Sequence, residues 1–321
     1  MKPFAFVFPG QGSQSVGMLD AWGDHCVVRE VLKEASDALG EDVGRLIKEG
    51  PKETLALTTN TQPVMLVAAL AAYRVWMSET GMAPSAVAGH SLGEYSALVA
   101  AGVLTLSQAA PLVRFRAQAM QQAVPVGVGA MAAILGLDAA KIVAGCAGVT
   151  AEFGEDSPEV VEAVNFNDPL QTVIAGSKTA VERACAVLKA NGAKRALPLP
   201  VSAPFHSSLM KPAAEKLRER LASLEFMPPR IALVNNVDVA VEVEADAIRN
   251  ALYRQAFGPV RWVECVRALK ARGLISVVEC GPGKVLAGLV KRIDPELNGM
   301  ALLDPASLAV VRSELWGADH E

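Results

Sequence analysis

The sequence predicts an α/β protein: a mostly parallel, doubly wound sheet interrupted by a smaller α+β unit. Three observations carry this. Short apolar runs such as Phe4 to Phe8 and Ala86 to Gly89 read as strands, and segments of helical length separate them. Aromatics make up only 5% of a chain that is 51% hydrophobic, so the core is built from Ala, Val and Leu, which suits helices packed on a parallel sheet. After the hinge-like stretch Pro125-Val126-Gly127-Val128-Gly129, the order changes to strand, helix, strand, strand, helix, strand.

Pro9 and Gly10 end the first strand, and the loop Gly10-Gln11-Gly12-Ser13-Gln14 follows. A helix is expected over Val27 to Leu39. Pro63 to Met77 has helical length and almost no polar residue, so it reads as a buried helix. The strand Ala86 to Gly89 runs into His90-Ser91-Leu92-Gly93-Glu94 and a helix ending near Ala101, with Gly102 as its stop. Ser107, as N-cap, opens a helix to Ala123.

The inserted unit comprises a strand over Ala130 to Leu137 and a helix over Ala139 to Ala147. A hairpin of Val160 to Phe166 and Thr172 to Ala175 turns at Asn-Asp-Pro, before a helix over Thr179 to Ala190 and a strand over Lys194 to Leu199. This is the ferredoxin-like split order. It places a small domain at 127–199, inserted into a large α/β domain of 1–126 and 200–321. Further helices are expected over Ser208 to Leu221, Ala245 to Ala256, Val263 to Ala271 and Lys284 to Ile293. The remaining strands are Ile231 to Val234, Ile275 to Glu279 and Met300 to Leu303.

Composition excludes several classes. The net charge of −4 and the scattered lysines give no basic stripe for nucleic acid. Met1 to Pro9 lacks the apolar length and cleavage site of a signal peptide, and no apolar stretch is long enough to span a bilayer. A cytoplasmic monomer without membrane or nucleic-acid partners is expected. The five cysteines form no CxxC pair and are odd in number, so they read as plain thiols, with no disulfide framework and no metal site.

Gly89-His90-Ser91-Leu92-Gly93 matches G-x-S-x-G between an apolar strand and a helix. A sharp strand-to-helix turn tolerates little bulk on either side, hence the two glycines. It lifts the serine hydroxyl above the sheet at a helix N-terminus, where free N–H groups can hold an oxyanion. Ser91 is therefore the candidate nucleophile and the N–H of Leu92 the first oxyanion donor. The bland alternative is an inert serine on a Gly-flanked turn.

A serine nucleophile needs a base. Of the four histidines, His320 lies in the terminal tail and His25 in a polar segment. His90 adjoins the nucleophile and on a tight turn points elsewhere, into a pocket wall. His206, in a loop before a helix, is the best base; otherwise it is a helix-start histidine with a satisfied ring. Asp238 and Asp246 sit in polar stretches and make poor triad acids, which leaves a Ser–His dyad whose ring a backbone carbonyl orients.

Arg116 shares the apolar face of its helix with Ala109, Leu112, Val113, Met120 and Ala123, while Arg114 lies on the polar face. A buried guanidinium needs an anion. Either a carboxylate of the protein meets it, or a ligand does. The Gly10–Gln14 loop lacks nucleotide-loop spacing and suits a second oxyanion donor, the N–H of Gln11. Gly281-Pro282-Gly283-Lys284 is either a phosphate loop or a turn before a helix.

Taken in order, Phe8-Pro9-Gly10-Gln11-Gly12-Ser13-Gln14, Gly89 to Glu94, Arg114-Phe115-Arg116, Asn165-Phe166-Asn167, Phe205-His206-Ser207, Gln255 and Gly281 to Lys284 resemble the malonyl-CoA:acyl carrier protein transacylases of bacterial fatty acid synthesis. The resemblance implies an α/β-hydrolase-like large domain with an inserted ferredoxin-like domain, and a site between them. It implies ping-pong transfer of malonyl from malonyl-CoA to acyl carrier protein through a malonyl ester on Ser91. It gives His206 as base, the carbonyl of Gln255 as its orienter, Gln11 and Leu92 as oxyanion donors, and Arg116 as the grip on the malonyl carboxylate. His90 and Asn167 line the pocket. In related polyketide acyltransferases, Phe before the histidine accompanies malonyl, which here points to Phe205; Leu92 after the nucleophile points the same way. No cofactor is implied: coenzyme A enters as the substrate's thioester, and the carrier brings its own phosphopantetheine. The rivals are a serine thioesterase, and a stand-alone polyketide or malonate-decarboxylase acyltransferase. Lys189, Lys194, Arg195, Lys291 and Arg292 are candidate contacts for an acidic carrier.

Overall fold

A computed structural model describes residues 2–154, 156–201 and 203–316. In chain order the elements of the first half are Phe4–Phe8 (β1), Cys26–Leu39 (α1), Val43–Glu49 (α2), Lys52–Leu55 (α3), Thr58–Thr80 (α4), Ala86–Gly89 (β2), Gly93–Ala100 (α5) and Leu106–Gln121 (α6). Next come Gly129–Leu135 (β3), Ala139–Glu152 (α7), Val161–Asp168 (β4), Gln171–Ser177 (β5), Lys178–Ala190 (α8) and Arg195–Pro198 (β6). The chain closes with Lys211–Ala222 (α9), Ala232–Val234 (β7), Ala245–Gln255 (α10), Trp262–Ala271 (α11), Ser276–Cys280 (β8), Val285–Ile293 (α12), Asn298–Leu302 (β9) and Pro305–Trp316 (α13).

The larger sheet runs β7-β2-β1-β8-β9 and is parallel throughout. Its central strand β1, Phe-Ala-Phe-Val-Phe, is buried along its whole length. Side chains alternate across a strand, so the three phenylalanines enter one core with α1, α4 and α6, and Ala5 and Val7 enter a second with α11 and α12. Trp76 of α4 meets Phe4 and Phe6 edge-on at 5.8 and 5.7 Å, an arrangement that adds to simple burial. The largely apolar α4 is enclosed by this core over most of its length and stops at Gly81 in the left-handed region.

The second sheet, of order β4-β5-β3-β6, is antiparallel and drawn wholly from residues 129–198. Strand, helix, strand, strand, helix, strand with the first and third strands central is the ferredoxin-like arrangement. Helices α7 and α8 cover one face. The other face carries Met131, Ala133, Val164, Val173 and Ala175, with Leu199, Val201 and Phe205 packed on it. Val260 exchanges backbone bonds of 2.8 and 3.0 Å with Val164 and Phe166, pinning edge strand β4 to the segment before α11.

Some boundaries differ from the sequence reading. The helix expected from Ser107 starts at Leu106, and its cap is Thr105, which forms a reciprocal capping box with Gln108. Ser107 spends its hydroxyl on Glu34 instead, at 3.0 Å. The helix expected from Ser208 opens with a 3-10 turn over Ser208–Met210. α7 runs on to Glu152, and α2, α3 and α13 were not anticipated.

In open parallel sheets ligands bind beyond the carboxyl ends of the strands, where the connections diverge. From β1 the chain goes to β2 on one side and later to β8 on the other. The Gly10–Gln14 loop and the Ser91 turn leave the adjacent ends of β1 and β2. Their approach is very tight: a Cβ on Gly89 would lie 1.9 Å from the Gly93 carbonyl carbon, and one on Gly93 would lie 2.0 Å from the Phe8 oxygen. Gly93→Ala should therefore destabilise the fold by at least ~1–3 kcal/mol, the usual range for overpacking. Thermal melting checks this; a variant that melts like the parent would show that the turn relaxes freely.

Candidate active site

Ser91 lies between β2 and α5 with φ of +52°. Among the described residues only Ser91, His206 and Val239 hold a positive φ without being glycine. Such backbone strain persists only where the surroundings over-determine it. Here Asn236, just beyond β7, does so: its Oδ1 accepts the Ser91 N–H at 2.8 Å, and its Nδ2 donates to the Gly89 carbonyl at 2.7 Å.

His206, with φ of +67°, faces the serine from the loop before α9. Ser91 Oγ and His206 Nε2 are 2.7 Å apart. His206 Nδ1 is 2.8 Å from the Gln255 carbonyl. A carbonyl only accepts, so Nδ1 carries the hydrogen and Nε2 is left free to take the serine proton. Burial, then the charge of Arg116, pulls the ring down to about 3, so it is neutral at physiological pH. Asp238 is held by Arg254 at 2.5 Å, and Asp246 pairs with Arg249 at the exposed start of α10. The geometry is a serine–histidine dyad oriented by a backbone carbonyl.

Arg116 is only 2% exposed. Its Nη1 donates to Gln62 Oε1 at 2.8 Å, and its Nη2 donates to Ser91 Oγ and Gln255 Oε1, both at 3.1 Å. The guanidinium lies 5.3 Å from the centre of the Tyr95 ring, and its Nε has no partner. No carboxylate among the described residues forms an ion pair with it, whereas Arg114 pairs with Glu41. Burial lowers its proton affinity. A cation solvated by neutral oxygens, with its tip on the candidate nucleophile, has the chemistry to receive a small carboxylate.

Gln11, Gln62, His90, Ser91, Leu92, Arg116, Phe205 and His206 line one cavity of about 140 Å³, closed by Met120, Met131, Asn165, Leu199 and Val201. Gln255 reaches it through its bonds to His206 and Arg116. Thr58 donates to the Gln11 side chain at 2.6 Å, and Gly10 abuts the His90 carbonyl, so the first loop is fixed against the elbow. His90 packs on Trp262 and its Nε2 lies 2.8 Å from Asn167 Oδ1. Asn167 therefore stands behind His90, and Asn165 takes the place on the cavity wall expected of it.

The other candidates lie elsewhere. His25 caps α1 through its ring, and His320 falls outside the described residues. The N-terminus of α12, where Gly281 to Lys284 could hold phosphate, already binds the carboxylate of Glu279, whose Oε2 accepts the Ala287 N–H at 2.9 Å. Gly283 instead packs on Ser13. The five cysteines are free, and burial pushes the Cys146 thiol up to about 12. No cluster of metal-ligating side chains occurs among the described residues. Arg292 is paired with Asp168 at 2.9 Å.

Sequence reasoning missed Gln62, Glu94, Asn236 and the side chain of Gln255. Glu94 accepts from Asn236 N at 2.9 Å and from Gln255 Nε2 at 3.0 Å, and that same Nε2 donates to the Ser91 carbonyl at 3.0 Å. A lone Gln before the apolar run of α4 and a lone Glu in the apolar start of α5 were the available signals.

The family model for the acyl transferase domain matches residues 5–298. The malonyl CoA-acyl carrier protein transacylase of Escherichia coli K12 is 54% identical over 312 residues, 96% of this chain and 98% of that one. The acyl-carrier-protein S-malonyltransferase structure from Burkholderia pseudomallei 1710b superposes with a TM-score of 0.93 at 64% identity, covering 96% and 99% of the two chains. A malonyl-transacylase in complex with a type II PKS acyl-carrier protein gives 0.92 at 51% identity, covering 96% and 98%.

The neighbouring charges fix a pH dependence. Arg116 disfavours protonation of His206, so Arg116→Ala should raise the pH at which that ring charges, toward the ordinary value of about 6.5. An NMR titration of the His206 imidazole in both proteins measures it. Identical titrations would mean that Arg116 does not set the base's charge state.

Proposed function

This chain belongs to the acyl transferase family, among the malonyl CoA-acyl carrier protein transacylases, and we propose that it works by a ping-pong mechanism in which Ser91 carries the malonyl group. Malonyl-CoA enters with its free carboxylate on Arg116. His206 Nε2 takes the Ser91 proton as Oγ attacks the thioester carbonyl. The N–H groups of Gln11 and Leu92 hold the oxyanion. Collapse breaks the carbon–sulfur bond, His206 returns the proton to the departing CoA sulfur, and malonyl-Ser91 remains. The phosphopantetheine thiol of acyl carrier protein then gives its proton to His206 and attacks the ester. Ser91 leaves and is reprotonated.

The single observation carrying this reading is Arg116: buried, unpaired by any described carboxylate and 3.1 Å from the nucleophile. A hydrolase of neutral esters gains nothing from it. The reaction needs no cofactor, since coenzyme A is part of the substrate and the carrier brings the acceptor thiol. Residues 1–126 and 200–321 act as the catalytic domain and 127–199 as an inserted lid-side domain that contributes Met131 and Asn165 to the pocket. The chain acts as a cytoplasmic monomer, takes no nucleic-acid partner, and supplies extender units for fatty acid synthesis. No described helix is long and apolar enough to cross a membrane.

Mass spectrometry after mixing with malonyl-CoA should find a malonyl adduct on Ser91 in the parent and none in Ser91→Ala. His206→Ala should slow acylation and transfer alike, by ~10²–10⁴-fold. Near-normal acylation in that variant would assign the base elsewhere.

Arg116→Ala strips the malonyl carboxylate of its partner, a loss of roughly 2–5 kcal/mol. That corresponds to about 30-fold to several thousand-fold in malonyl transfer, while an uncharged donor such as acetyl-CoA loses little. Equal losses for both donors, with a lowered melting temperature, would make Arg116 structural. Phe205, which lines the cavity, limits room at the α-carbon; Phe205→Ser should raise methylmalonyl relative to malonyl transfer, and an unchanged ratio would remove it from selectivity.

A further inference from the structure

We propose that Glu94 is a positioning residue for the transfer: its buried carboxylate forces the side chain of Gln255 and the backbone of Asn236 into the orientations that set Ser91, Arg116 and His206. This rests on the reading of Ser91 as the malonyl carrier.

Glu94 is 2% exposed, one residue beyond the glycine that starts α5. Its Oε2 accepts two hydrogen bonds, from Asn236 N and Gln255 Nε2. The side chain of Asn236 then straps the elbow, taking the Ser91 N–H and donating to the Gly89 carbonyl. The amide of Gln255 has two ends that differ only in donor and acceptor character. An ionised carboxylate only accepts, so Glu94 compels the amide nitrogen to face it and the Ser91 carbonyl. The oxygen must then face Arg116, whose Nη2 it accepts at 3.1 Å. Turned over, the amide would set its NH₂ against a buried guanidinium, leaving donors facing donors. The carbonyl of the same residue orients His206. One carboxylate therefore governs three parts of the site that lie far apart in sequence.

Its ionisation matters for the same reason. Burial pushes Glu94 up to about 7, against the opposing bonds from Gln255 and Asn236 and the charge of Arg116, with Asp238 adding to the rise. The other titratable groups around it are Tyr95 on its own helix, Cys265 on α11, whose thiol burial and then the charge of Glu94 push up, and Glu242, which shares a small cavity with it. Burial, then the charge of Arg116, pulls the His206 ring down to about 3, away from this range, and the Glu94→Gln profile separates the two groups. Once Glu94 is protonated, its O–H can donate, and the amide of Gln255 is no longer constrained.

The test follows malonylation of Ser91 on the full chain by rapid-quench mass spectrometry, from about pH 5.5 to about pH 8.5, around the ordinary midpoint of a raised carboxyl. Glu94→Leu, which leaves two buried donors unpaired, should malonylate roughly 5- to 150-fold more slowly than the parent. Glu94→Gln, whose amide oxygen can accept both N–H groups, should stay within about tenfold of the parent. The parent rate should fall as pH drops through about 7. That limb should vanish in Glu94→Gln and remain in Glu279→Gln, where the other buried glutamate raised to about 7 is removed. A limb unchanged in Glu94→Gln overturns the proposal, and so does a Glu94→Leu rate within about twofold of the parent. Should Glu94→Leu fail to fold, the Glu94→Gln profile decides alone. A parent that forms no Ser91 adduct overturns the transferase reading instead.

Discussion

A guanidinium held out of water by neutral oxygens is the constraint around which this molecule is arranged. Taking a charge from water into a protein interior costs several kcal/mol unless an opposite charge compensates it. Arg116 has amide oxygens, a serine hydroxyl and an aromatic face, but no ion-pair partner among the described residues. The fold tolerates this because each partner is itself held in place. Gln62 lies in the long buried helix, Gln255 at the end of α10, and Tyr95 in the first turn of the helix that follows the elbow. On the proposed reading, a negatively charged acyl group supplies the missing partner when it binds, so that part of the stability withheld from the protein becomes binding energy for the correct donor.

The parallel sheet makes that arrangement attainable. The ends of β1 and β2 sit side by side only because the connections diverge at β1, and the glycines at 89 and 93 let the elbow descend to within contact of the first strand. The serine is then raised on a strained turn that Asn236 holds from the neighbouring strand. The antiparallel sheet closes the pocket from the other side with the face its helices leave uncovered. Neither sheet alone builds the cavity: one bears Ser91 and its partners, and the other supplies the walls Met131, Asn165 and Leu199.

Both sheets and all nine of their described strands were legible in the sequence as short apolar runs between turn residues. Ser91, His206 and Arg116 could be singled out because each breaks an expectation: a serine in a Gly-flanked turn, one of four histidines in a loop before a helix, a charge on an apolar face. Gln62 and Glu94 stand out only as lone polar residues in apolar segments and Asn236 not at all, since what distinguishes them is a partner up to 161 residues distant. The exchange between Asn165 and Asn167 has a local cause. Strand β4 carries register irregularities between Ala163 and Asn165 and between Phe166 and Asp168, the second of which falls between the two asparagines. The short helices α2 and α3 are fixed by packing rather than by periodicity.

That His206 Nδ1 meets a carbonyl, and no acid among the described residues, follows from the same electrostatics. An aspartate at Nδ1 would raise the ring's basicity, but it would also bring a fixed negative charge close to Arg116, which already acts on the ring. Such a charge would compensate the guanidinium internally and repel the carboxylate that the site must attract. A backbone carbonyl fixes the same tautomer with a dipole and no net charge. The weaker base that results is adequate for a thioester, whose leaving thiolate needs less help than an amide nitrogen. Choosing an anionic substrate thus restricts how the base can be supported. Glu94, a buried carboxylate within reach of this charge, is pushed up by burial to about 7 and accepts its hydrogen bonds from Asn236 and Gln255 rather than from the guanidinium.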